Sequence, residues 1–369
     1  MNWTTKKQQA FQRDFLNWYQ QNQRDLPWRH FHDPYHIWLS EIMLQQTQVH
    51  TVIPYYQRFL KAFPTIADLA ATDEATLFKA WEGLGYYSRA RNLQRAAQQI
   101  CTDYQGVWPQ TATELEKLAG IGPYTAAAIA SIAFDAPEPA VDGNAYRVFA
   151  RLLQIKADVA QPKTRGIFAA AIRPLLPTTG AGDFNQATMD LGATICTPKD
   201  PACLLCPVQQ YCQAYQTGTQ LDYPVKTKKP KPKPVHLAAL VIGDPQQWLM
   251  QQRPGQGLLA NLWTYPLVSA ADLQSDENDK LPADWSALLT QYVAQTYQLD
   301  LNITPVKGRA VTHTFTHLKW TIDLYQAKLP AKTDLAFFPG QLVAAADYDQ
   351  LAVPTVQKKL QQRFLKDSK

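Results

Sequence analysis

The sequence of 369 residues has no long uninterrupted run of hydrophobic side chains. A membrane-spanning helix needs about 20 consecutive apolar residues, and a secretory signal needs an apolar core behind a basic start. We therefore expect neither, and we expect a protein that does not bind membranes. The expected location is the cytoplasm, in association with the nucleoid if the source is bacterial.

A basic excess is also missing outside one short segment. The chain has 36 Lys and Arg against 31 Asp and Glu, a formal net charge of +5. Residues 1–221 carry 19 basic and 18 acidic side chains, and residues 235–369 carry 12 of each. Pro224–Pro234 alone holds five lysines and no acid. The net charge is therefore weak evidence for nucleic-acid binding, and function must be argued from motifs.

Cysteine is scarce and unevenly placed. Cys101 stands alone, whereas four of the five cysteines fall within 17 residues with the spacing C-x6-C-x2-C-x5-C: Cys196, Cys203, Cys206 and Cys212. In a cytoplasmic protein such a cluster predicts metal binding rather than disulfides. Four thiolates suit both zinc and an iron–sulfur cluster. Structural zinc sites usually have two close cysteine pairs and this segment has one, so the spacing favours the cluster and leaves zinc as the alternative.

The pattern of the chain changes near residue 221. Up to there the periodicity is helical, with short loops and almost no strand-like alternation. Residues 222–234 are rich in Lys and Pro, which predicts a semi-rigid extended linker. Residues 235–369 mix the two periodicities, with strands predicted at Val235–Ile242, Trp248–Gln252 and Lys319–Leu324 and helices at Ala283–Leu299 and Val353–Leu365. We predict a multidomain chain, with an all-α domain at 1–221, a linker, and an α+β domain at 235–369.

Residues 118–130, LAGIGPYTAAAIA, predict a helix end, a tight turn and a new helix with Pro123 in its first position. Gly120 and Gly122 let the backbone turn sharply, and the N–H groups of the new helix can bind a DNA phosphate. An ordinary helix–helix turn has the same residues. About 20 residues later, VDGNAYRV (residues 141–148) opens another helix, for which Asp142 is also a good N-cap.

The hairpin, the VDGNAYRV segment and the cysteine spacing together resemble the helix-hairpin-helix DNA glycosylases related to endonuclease III. Within that superfamily, three further segments are similar to the adenine DNA glycosylases (the MutY family): RDLPWR at residues 24–29, SEIMLQQTQV at 40–49 and WEGLGYYSR at 81–89. The resemblance spans nearly the whole chain and is densest up to about residue 212.

This resemblance implies a base-excision-repair enzyme that acts on double-stranded DNA. Such an enzyme flips adenine out of a mispair with 8-oxoguanine, or with guanine, and hydrolyses its N-glycosidic bond to leave an abasic site. The resemblance also implies one [4Fe-4S] cluster, bound by the four clustered cysteines in a loop at residues 196–212. We expect the protein to act as a monomer.

Two carboxylates carry the implied chemistry. Glu41 shares a helical row with Ile37 and Leu44, which places it either at an exposed helix edge or in a pocket that raises its pKa. The resemblance favours the pocket and implies that Glu41 protonates adenine. It implies that Asp142 stabilises the cationic sugar, a division of labour that glycoside hydrolases also use.

The resemblance assigns supporting roles to Asn144 and Tyr124. Endonuclease III-type enzymes have a lysine, the nucleophile of a strand-cleaving lyase, where this chain has Tyr124. We therefore do not expect strong lyase activity.

Other residues are assigned to the DNA by the same resemblance. It places Arg24, Trp28, Arg29 and Gln186 at the adenine pocket. It places Gln46, Thr47, Leu84 and Tyr86 at the opposite base, with Gln46 and Tyr86 entering the base stack, although local packing is the alternative for Leu84 and Tyr86. Gly120, Gly122 and Lys199 are the candidates for contact with DNA phosphates.

Residues 235–369 resemble the C-terminal domain of the same family, which has the fold of the Nudix pyrophosphatases. A working pyrophosphatase needs a helix of glutamates to hold magnesium, and Trp285–Leu299 contains no acidic residue. We therefore predict a domain that reads the lesion, through Phe315, Thr316 and His317. The family often has serine at the position of Thr316, which keeps the hydroxyl and adds a methyl group. One face of a plain strand is the alternative for this segment.

Two other functions stay open at this point. An endonuclease III-like pyrimidine glycosylase and lyase is disfavoured by Tyr124 and by the C-terminal domain. A non-catalytic iron–sulfur protein that binds DNA would not need Glu41 and Asp142 together.

Overall fold

The computed structural model describes residues 3–228, 230–273 and 283–367. The chain forms two compact units, of which the first consists of Met1–Thr72 and Ser88–Lys229 and the second of Asp73–Tyr87 and Pro230–Lys369. By its contacts, Asp73–Tyr87 belongs to the second unit, although the sequence pattern places it in the first domain. Among the described residues, no helix is long and apolar enough to cross a membrane.

Up to residue 228 the regular structure of the described chain is helical, as predicted. The α-helices are α1 Thr5–Asn22, α2 Pro34–Leu44, α3 Val49–Ala62, α4 Ile66–Ala71, α5 Glu74–Trp81, α6 Ser88–Asp103, α7 Ala112–Leu115, α8 Pro123–Phe134, α9 Gly143–Leu153, α10 Thr164–Ile172, α11 Ala181–Thr194 and α12 Gln213–Gln216. Short 3₁₀ helices are formed by Pro27–Arg29, Arg173–Leu175, Cys203–Leu205, Gln209–Tyr211 and Gln220–Asp222. Helix α5 is part of the second unit.

Local capping explains where the helices that hold the candidate site begin. Asp33 accepts a hydrogen bond from the backbone N–H of Tyr35 at the start of α2, and Pro34 occupies the first helical position. Pro123 does the same for α8, where its missing N–H costs no hydrogen bond. These signals are local in the sequence, and the helix start at Pro123 is the predicted one.

An aromatic core joins α1 to α9 and α11 in the first unit. Phe11, Phe15, Phe149 and Phe184 are fully buried there, with ring centroids 5.4–6.1 Å apart in the contacting pairs that involve Phe184. Helices α2, α3, α4, α6, α7 and α8 pack mainly with one another, and α8 also contacts α11. The first unit therefore has two helical lobes, with α8 and α11 in contact between them.

The predicted linker is attached to folded structure at both of its ends. Tyr223 is buried, the carbonyl of Val225 accepts a hydrogen bond from the N–H of Val159, and the Thr227 hydroxyl donates to Asp158. Lys233 and Pro234 already belong to the first strand of the sheet. Lys229 lies outside the described residues. The Lys/Pro-rich segment is thus shorter in the structure than residues 222–234.

The second unit is built on a mixed sheet. Its strands are β1 Lys233–Asp244, β2 Gln247–Gln252, β3 Trp263–Thr264, β4 Leu267–Ser269, β5 Thr304–Pro305, β6 Val311–Thr314, β7 Leu318–Ala327 and β8 Gly340–Ala344. Its remaining helices are α13 Ala270–Leu273, α14 Ser286–Tyr297, the 3₁₀ turn Tyr348–Gln350 and α15 Thr355–Asp367. Strand β1 pairs in parallel with β7 and antiparallel with β2 and β4, while β5 and β6 pair with β7, and β3 and β8 pair with β2.

Both faces of β1 are covered. Leu237, Ala239 and Val241 belong to the core that contains α15, and the alternate residues Ala238, Leu240 and Ile242 belong to the core that contains α14. A strand buried on both faces reads as a continuous apolar run rather than an alternation. The prediction of an α+β second domain is therefore confirmed, as a sheet between two helices.

Candidate active site

Helix α2 buries Glu41 one turn before its C-terminus, and only 6% of this residue is exposed. Burial raises the pKa of Glu41 to about 7. The hydrogen bond from Tyr124 acts against this rise, the negative charge of Asp142 adds to it, and Arg29 opposes it. The pocket position expected for Glu41 is the observed one, and the exposed helix edge is excluded. A carboxyl group with a pKa near 7 can deliver a proton at neutral pH.

The hydroxyl of Tyr124 is the donor that contacts this carboxyl group. Tyr124 is the second residue of α8, and its hydroxyl donates to Oε2 of Glu41 at 2.5 Å. Burial and the negative charges of Glu41 and Asp142 hold the pKa of Tyr124 well above its usual value. The tyrosine therefore keeps its proton and acts as a donor to Glu41.

Asp142 is the N-cap of α9. Its Oδ1 accepts from the backbone N–H of Ala145 and its Oδ2 accepts from the side-chain amide of Asn144, both at 2.7 Å. Burial raises the pKa of Asp142 above its usual value, while these two donors favour the charged form. The N-cap interpretation is confirmed, and it is compatible with catalysis because the same carboxylate acts electrostatically on Glu41 and Tyr124.

A cavity beside Glu41 brings together the positions assigned to the adenine pocket. Its polar lining includes Arg24, Arg29, Glu41 and Gln186, and its apolar lining includes Trp28 together with Leu26, Ile37, Ile132 and Met189. The ring of Trp28 packs edge-on against Tyr56, with centroids 5.4 Å apart. An apolar cavity with a few convergent polar groups is typical of a site for a small organic ligand.

Sequence reasoning missed Asp190, which organises the two arginines of this cavity. Its side chain is 1% exposed and accepts hydrogen bonds from Arg29 at 2.7 and 2.8 Å and from Arg24 at 2.7 Å. Burial alone raises the pKa of Asp190, but the bonds and positive charges of Arg29 and Arg24 outweigh burial and hold the pKa below its usual value. The only sequence signal was its position four residues after Gln186 on the same helix.

Two arginines on α9 connect this site to the cysteine loop. Arg147 donates to Oδ1 of Asn144 at 2.9 Å and to the carbonyl oxygen of Cys196 at 2.7 Å. Arg151, one turn later, approaches Sγ of Cys196 at 3.2 Å. Arg147 lies in the VDGNAYRV segment without an assigned role, and Arg151 had no sequence signal beyond its spacing.

The four clustered cysteines line one mainly apolar cavity with Val148, Leu152 and Leu191, and none forms a disulfide. Among the described residues, no group of three or more His, Cys, Asp and Glu side chains is arranged to hold one metal ion. Four thiols that line one cavity have the chemistry to ligate one metal centre, either zinc or an iron–sulfur cluster. Lys199, in the same loop, is exposed.

The glycine turn before α8 is exposed and has the expected conformation. Gly120 has a φ of +72°, and a Cβ atom there would lie 2.5 Å from Cβ of Asn92, so only glycine fits. Gly122 is the N-cap of α8 and is exposed. This arrangement can accept a phosphate.

The residues assigned to the opposite base fall in both units. In the first unit, Gln46 is exposed with a φ of +59° and Thr47 is half-buried. In the second unit, Leu84 is buried at 6%, whereas Tyr86 is 48% exposed and its hydroxyl lies 3.1 Å from Oγ1 of Thr316. Leu84 is therefore packed locally. Tyr86 instead contacts Thr316, which the resemblance assigns to lesion reading.

The segment around Thr316 is a tight turn between β6 and β7. The N–H of Phe315 donates to the carbonyl of Leu318 at 2.7 Å, and the Phe315 ring packs against Trp320 at 4.8 Å. Thr316 and His317 are exposed at the tip of this turn. Of residues 313–317 (HTFTH), His313 and Thr314 end β6 and residues 315–317 form the turn, so one face of a plain strand does not describe this segment.

Comparison with known protein families gives two matches along the chain. The family described as "HhH-GPD superfamily base excision DNA repair protein" matches residues 39–174, and the family described as "NUDIX domain" matches residues 237–363. The first match covers Glu41, Tyr124 and Asp142, and the second covers most of the sheet of the second unit.

The chain is similar in sequence to named proteins over most of the length of those proteins. The chain is 36% identical to "Adenine DNA glycosylase" of Rattus norvegicus over 95% of this chain and 77% of the relative. For the protein of the same name from Homo sapiens the identity is 34%, over 95% and 73%. For that of Buchnera aphidicola subsp. Schizaphis graminum it is 38%, over 70% and 74%.

Two solved structures are similar in fold. A thermostable thymine-DNA glycosylase is 30% identical, with a TM-score of 0.53, covering 57% of this chain and 98% of that chain. A non-covalent endonuclease III–DNA complex is 21% identical, with a TM-score of 0.50, covering 59% and 99%. Both coverages fit the length of the helical unit.

Proposed function

The chain belongs to the adenine DNA glycosylase family of base-excision-repair enzymes, and from this premise we propose that it excises adenine mispaired with 8-oxoguanine, and also with guanine, in double-stranded DNA. One observation carries the proposal: Glu41 is buried beside a cavity, accepts a hydrogen bond from Tyr124, and has a pKa raised to about 7 by burial and by the negative charge of Asp142. A general acid and a second carboxylate are the two groups that cleavage of an N-glycosidic bond requires.

The adenine must leave the base stack before these groups can reach it. Trp28, Arg24, Arg29 and Gln186 line the cavity that would receive the flipped base. Asp190 holds the two arginines in place and offsets their charge.

Glu41 donates its proton to a ring nitrogen of adenine while the bond between the base and the sugar breaks. The electron pair of that bond leaves with adenine, and the sugar becomes an oxocarbenium-like cation. The carboxylate of Asp142, oriented by Asn144 and by the Ala145 N–H, stabilises this cation. Water then adds to the sugar and gives its proton to the carboxylate of Glu41, which restores the acid and leaves an abasic site.

The reaction is hydrolytic and largely free of lyase activity. A lyase needs an amine nucleophile that attacks the sugar, and the position after Pro123 holds Tyr124 instead. No lysine is among the described residues that line the Glu41 cavity.

The cysteine loop binds one [4Fe-4S] cluster through Cys196, Cys203, Cys206 and Cys212. When bound, the cluster cross-links a loop of the first unit that has little regular structure. The shared cavity of the four thiols and its apolar walls support this proposal. The exposed Lys199 and the backbone of the turn at Gly120 and Gly122 bind DNA phosphates.

The second unit reads the lesion and does not hydrolyse nucleotides. Its Nudix match alone would suggest a pyrophosphatase, but α14, Ser286–Tyr297, contains no acidic residue to hold magnesium. Phe315, Thr316 and His317, together with Gln46, Thr47 and Tyr86, contact the base opposite adenine, while the buried Leu84 packs within the loop that carries Tyr86. The protein acts as a monomer.

The test is an excision assay with duplexes that carry adenine opposite 8-oxoguanine, guanine, cytosine or thymine. Alkali reveals abasic sites, and strand cleavage without alkali reports lyase activity. We expect excision opposite 8-oxoguanine and guanine, and the variants Glu41→Gln and Asp142→Asn should lose it by a factor of about a hundred or more. Asparagine keeps the N-cap of α9, so the second variant should fold normally.

The matched control is Glu116→Gln, a change of an exposed carboxylate, which should keep the rate of the unchanged protein. Equal excision from all four duplexes, or excision of a pyrimidine, would overturn the proposed specificity. Tight binding without any excision would instead support the non-catalytic alternative.

A further inference from the structure

The segment Asp73–Tyr87 is packed into the second unit through apolar side chains. Leu77, Phe78 and Trp81 of α5 are almost completely buried, and so is Tyr87. The side-chain amide of Asn261 donates to Glu74 at 2.5 Å. The loop at residues 82–87, which carries Leu84 and Tyr86, is therefore held against the C-terminal unit.

Glu82 is the charged residue at the base of this loop, and its side chain is only 10% exposed. Its Oε2 lies 2.8 Å from Nζ of Lys79 and 3.2 Å from Nζ of Lys358, and its Oε1 accepts from the N–H of Val353 at 3.3 Å. Val353 and Lys358 flank the start of α15. A carboxylate at that position also interacts favourably with the N-terminal end of the helix.

The same helix contacts the other candidate lesion-reading loop. Nζ of Lys359 donates to the carbonyl of Thr312 in β6 at 3.3 Å. Val356 and Leu360 of α15 lie in one buried core with Val311 of β6. Strand β6 leads directly into the turn that presents Phe315, Thr316 and His317.

The two loops meet at their tips, where the hydroxyl of Tyr86 lies 3.1 Å from Oγ1 of Thr316. Both loops are thus fixed to α15 at their bases and to each other at their exposed ends. Glu82 and Lys358 lie at the base of the loop at residues 82–87, beside the start of α15, so each acts through the loops it holds.

We infer that α15 is a common frame for the loop at residues 82–87 and the turn at residues 315–317, and that Glu82 and Lys358 are positioning residues for discrimination between 8-oxoguanine and guanine. This inference rests on the proposed function. The ion pair between Glu82 and Lys358 fixes the position of Tyr86 relative to Thr316. It therefore determines whether both side chains can contact the lesion at the same time.

The first test compares Glu82→Gln and Lys358→Gln with the unchanged protein on adenine opposite 8-oxoguanine and adenine opposite guanine. The ratio of kcat/KM between the two duplexes should fall about fivefold in each variant, because a partly exposed ion pair contributes up to about that factor. Excision opposite guanine should stay within about twofold. Lys366→Gln, a change of an exposed lysine in the last turn of α15, is the matched control and should keep the ratio.

The double variant tests whether the two residues act through one contact. If they do, Glu82→Gln with Lys358→Gln discriminates no worse than the worse single variant. Additive losses, an unchanged ratio, or an equal loss on both duplexes would overturn the inference. Lys358 is 46% exposed, so its variant decides the question even if Glu82→Gln folds poorly.

Amide hydrogen exchange without DNA separates this inference from the proposed function. In Lys358→Gln, exchange should become faster in residues 82–87 and also in residues 315–317, while Lys366→Gln leaves both unchanged. Faster exchange in only one of the two loops would mean that α15 is not a common frame. Absence of adenine excision by the unchanged protein would refute the proposed function and leave the exchange result standing.

Discussion

The hydroxyl of Tyr124 tunes the acidity of Glu41, and its removal gives a prediction with a definite sign. A donor to a carboxyl group favours the charged form, so the hydrogen bond from Tyr124 holds the pKa of Glu41 below the value that burial alone would produce. In Tyr124→Phe the pKa of Glu41 should therefore rise above about 7. A hydrogen bond to a charged group contributes about 1.5 kcal/mol, which corresponds to a rise of about one pKa unit.

The measurable consequence is a displaced pH profile. Proton donation requires the protonated form of Glu41, so the excision rate is constant below its pKa and falls about tenfold per pH unit above it. The descending limb of Tyr124→Phe should lie about one unit higher than that of the unchanged protein, whatever the change in maximal rate. Single-turnover excision of adenine opposite 8-oxoguanine, followed from about pH 6 to pH 9, measures this limb.

Two further variants make the result interpretable. The control is Tyr146→Phe, which removes the hydroxyl of a tyrosine on α9 and keeps the ring that packs against Phe168. This variant should leave the descending limb of the pH profile in place. Glu41→Gln should remove the limb along with most of the activity. The reasoning is refuted if the descending limb of the pH profile stays in place or moves to lower pH in Tyr124→Phe. If Glu41→Gln keeps the descending limb, the limb reports the titration of a group other than Glu41.

Three other changes probe the surroundings of the site. Asp190→Asn leaves two arginines without their counter-ion and should lower the free energy of unfolding by about 3 kcal/mol in urea at neutral pH, whereas exposed Asp25→Asn should have little effect. Because folding lowers the pKa of Asp190, its stabilising contribution is present above the usual aspartate pKa and is lost as the pH falls through the folded value. Arg147→Gln removes the donor to Asn144 and should reduce single-turnover excision about tenfold without abolishing DNA binding. Gly120→Ala forces a side chain onto a positive φ and should weaken duplex binding measured by anisotropy for every sequence alike.

The fold could be predicted where the signal is local. The helices of the first unit and the strand at Lys319–Leu324 follow from periodicity, and the strand at Val235–Ile242 follows from its continuous apolar run. The structure extends both strands by only a few residues. The assignment of Asp73–Tyr87 to the second unit could not be predicted. Its burial depends on partners such as Val353 and Lys358, which lie far away in the sequence and leave no mark on the pattern of α5.

The residues of the candidate site also divide into those with a local sequence signal and those without one. The motifs that contain Glu41, Tyr124 and Asp142 are contiguous, so a resemblance could identify them. The row that Glu41 shares with Ile37 and Leu44 did not decide between pocket and exposed edge, because the burial of the carboxyl group depends on other elements packed against α2, α8 among them. Asp190 carries no motif, since its importance comes from two arginines that precede it by 161 and 166 residues.

Helix α9 explains how a catalytic carboxylate and a cysteine loop come to depend on one element. Asp142 caps the helix, and Arg147 lies one turn after Asn144, so its guanidinium contacts the amide that donates to Asp142. The same guanidinium donates to the carbonyl of Cys196, and Arg151 approaches the Cys196 sulfur from the next turn. A shift of the loop backbone at Cys196 therefore moves Arg147, and with it the amide that orients the carboxylate. The loop thus affects the chemistry through hydrogen bonds along one helix face, even though its cysteines are not part of the Glu41 cavity.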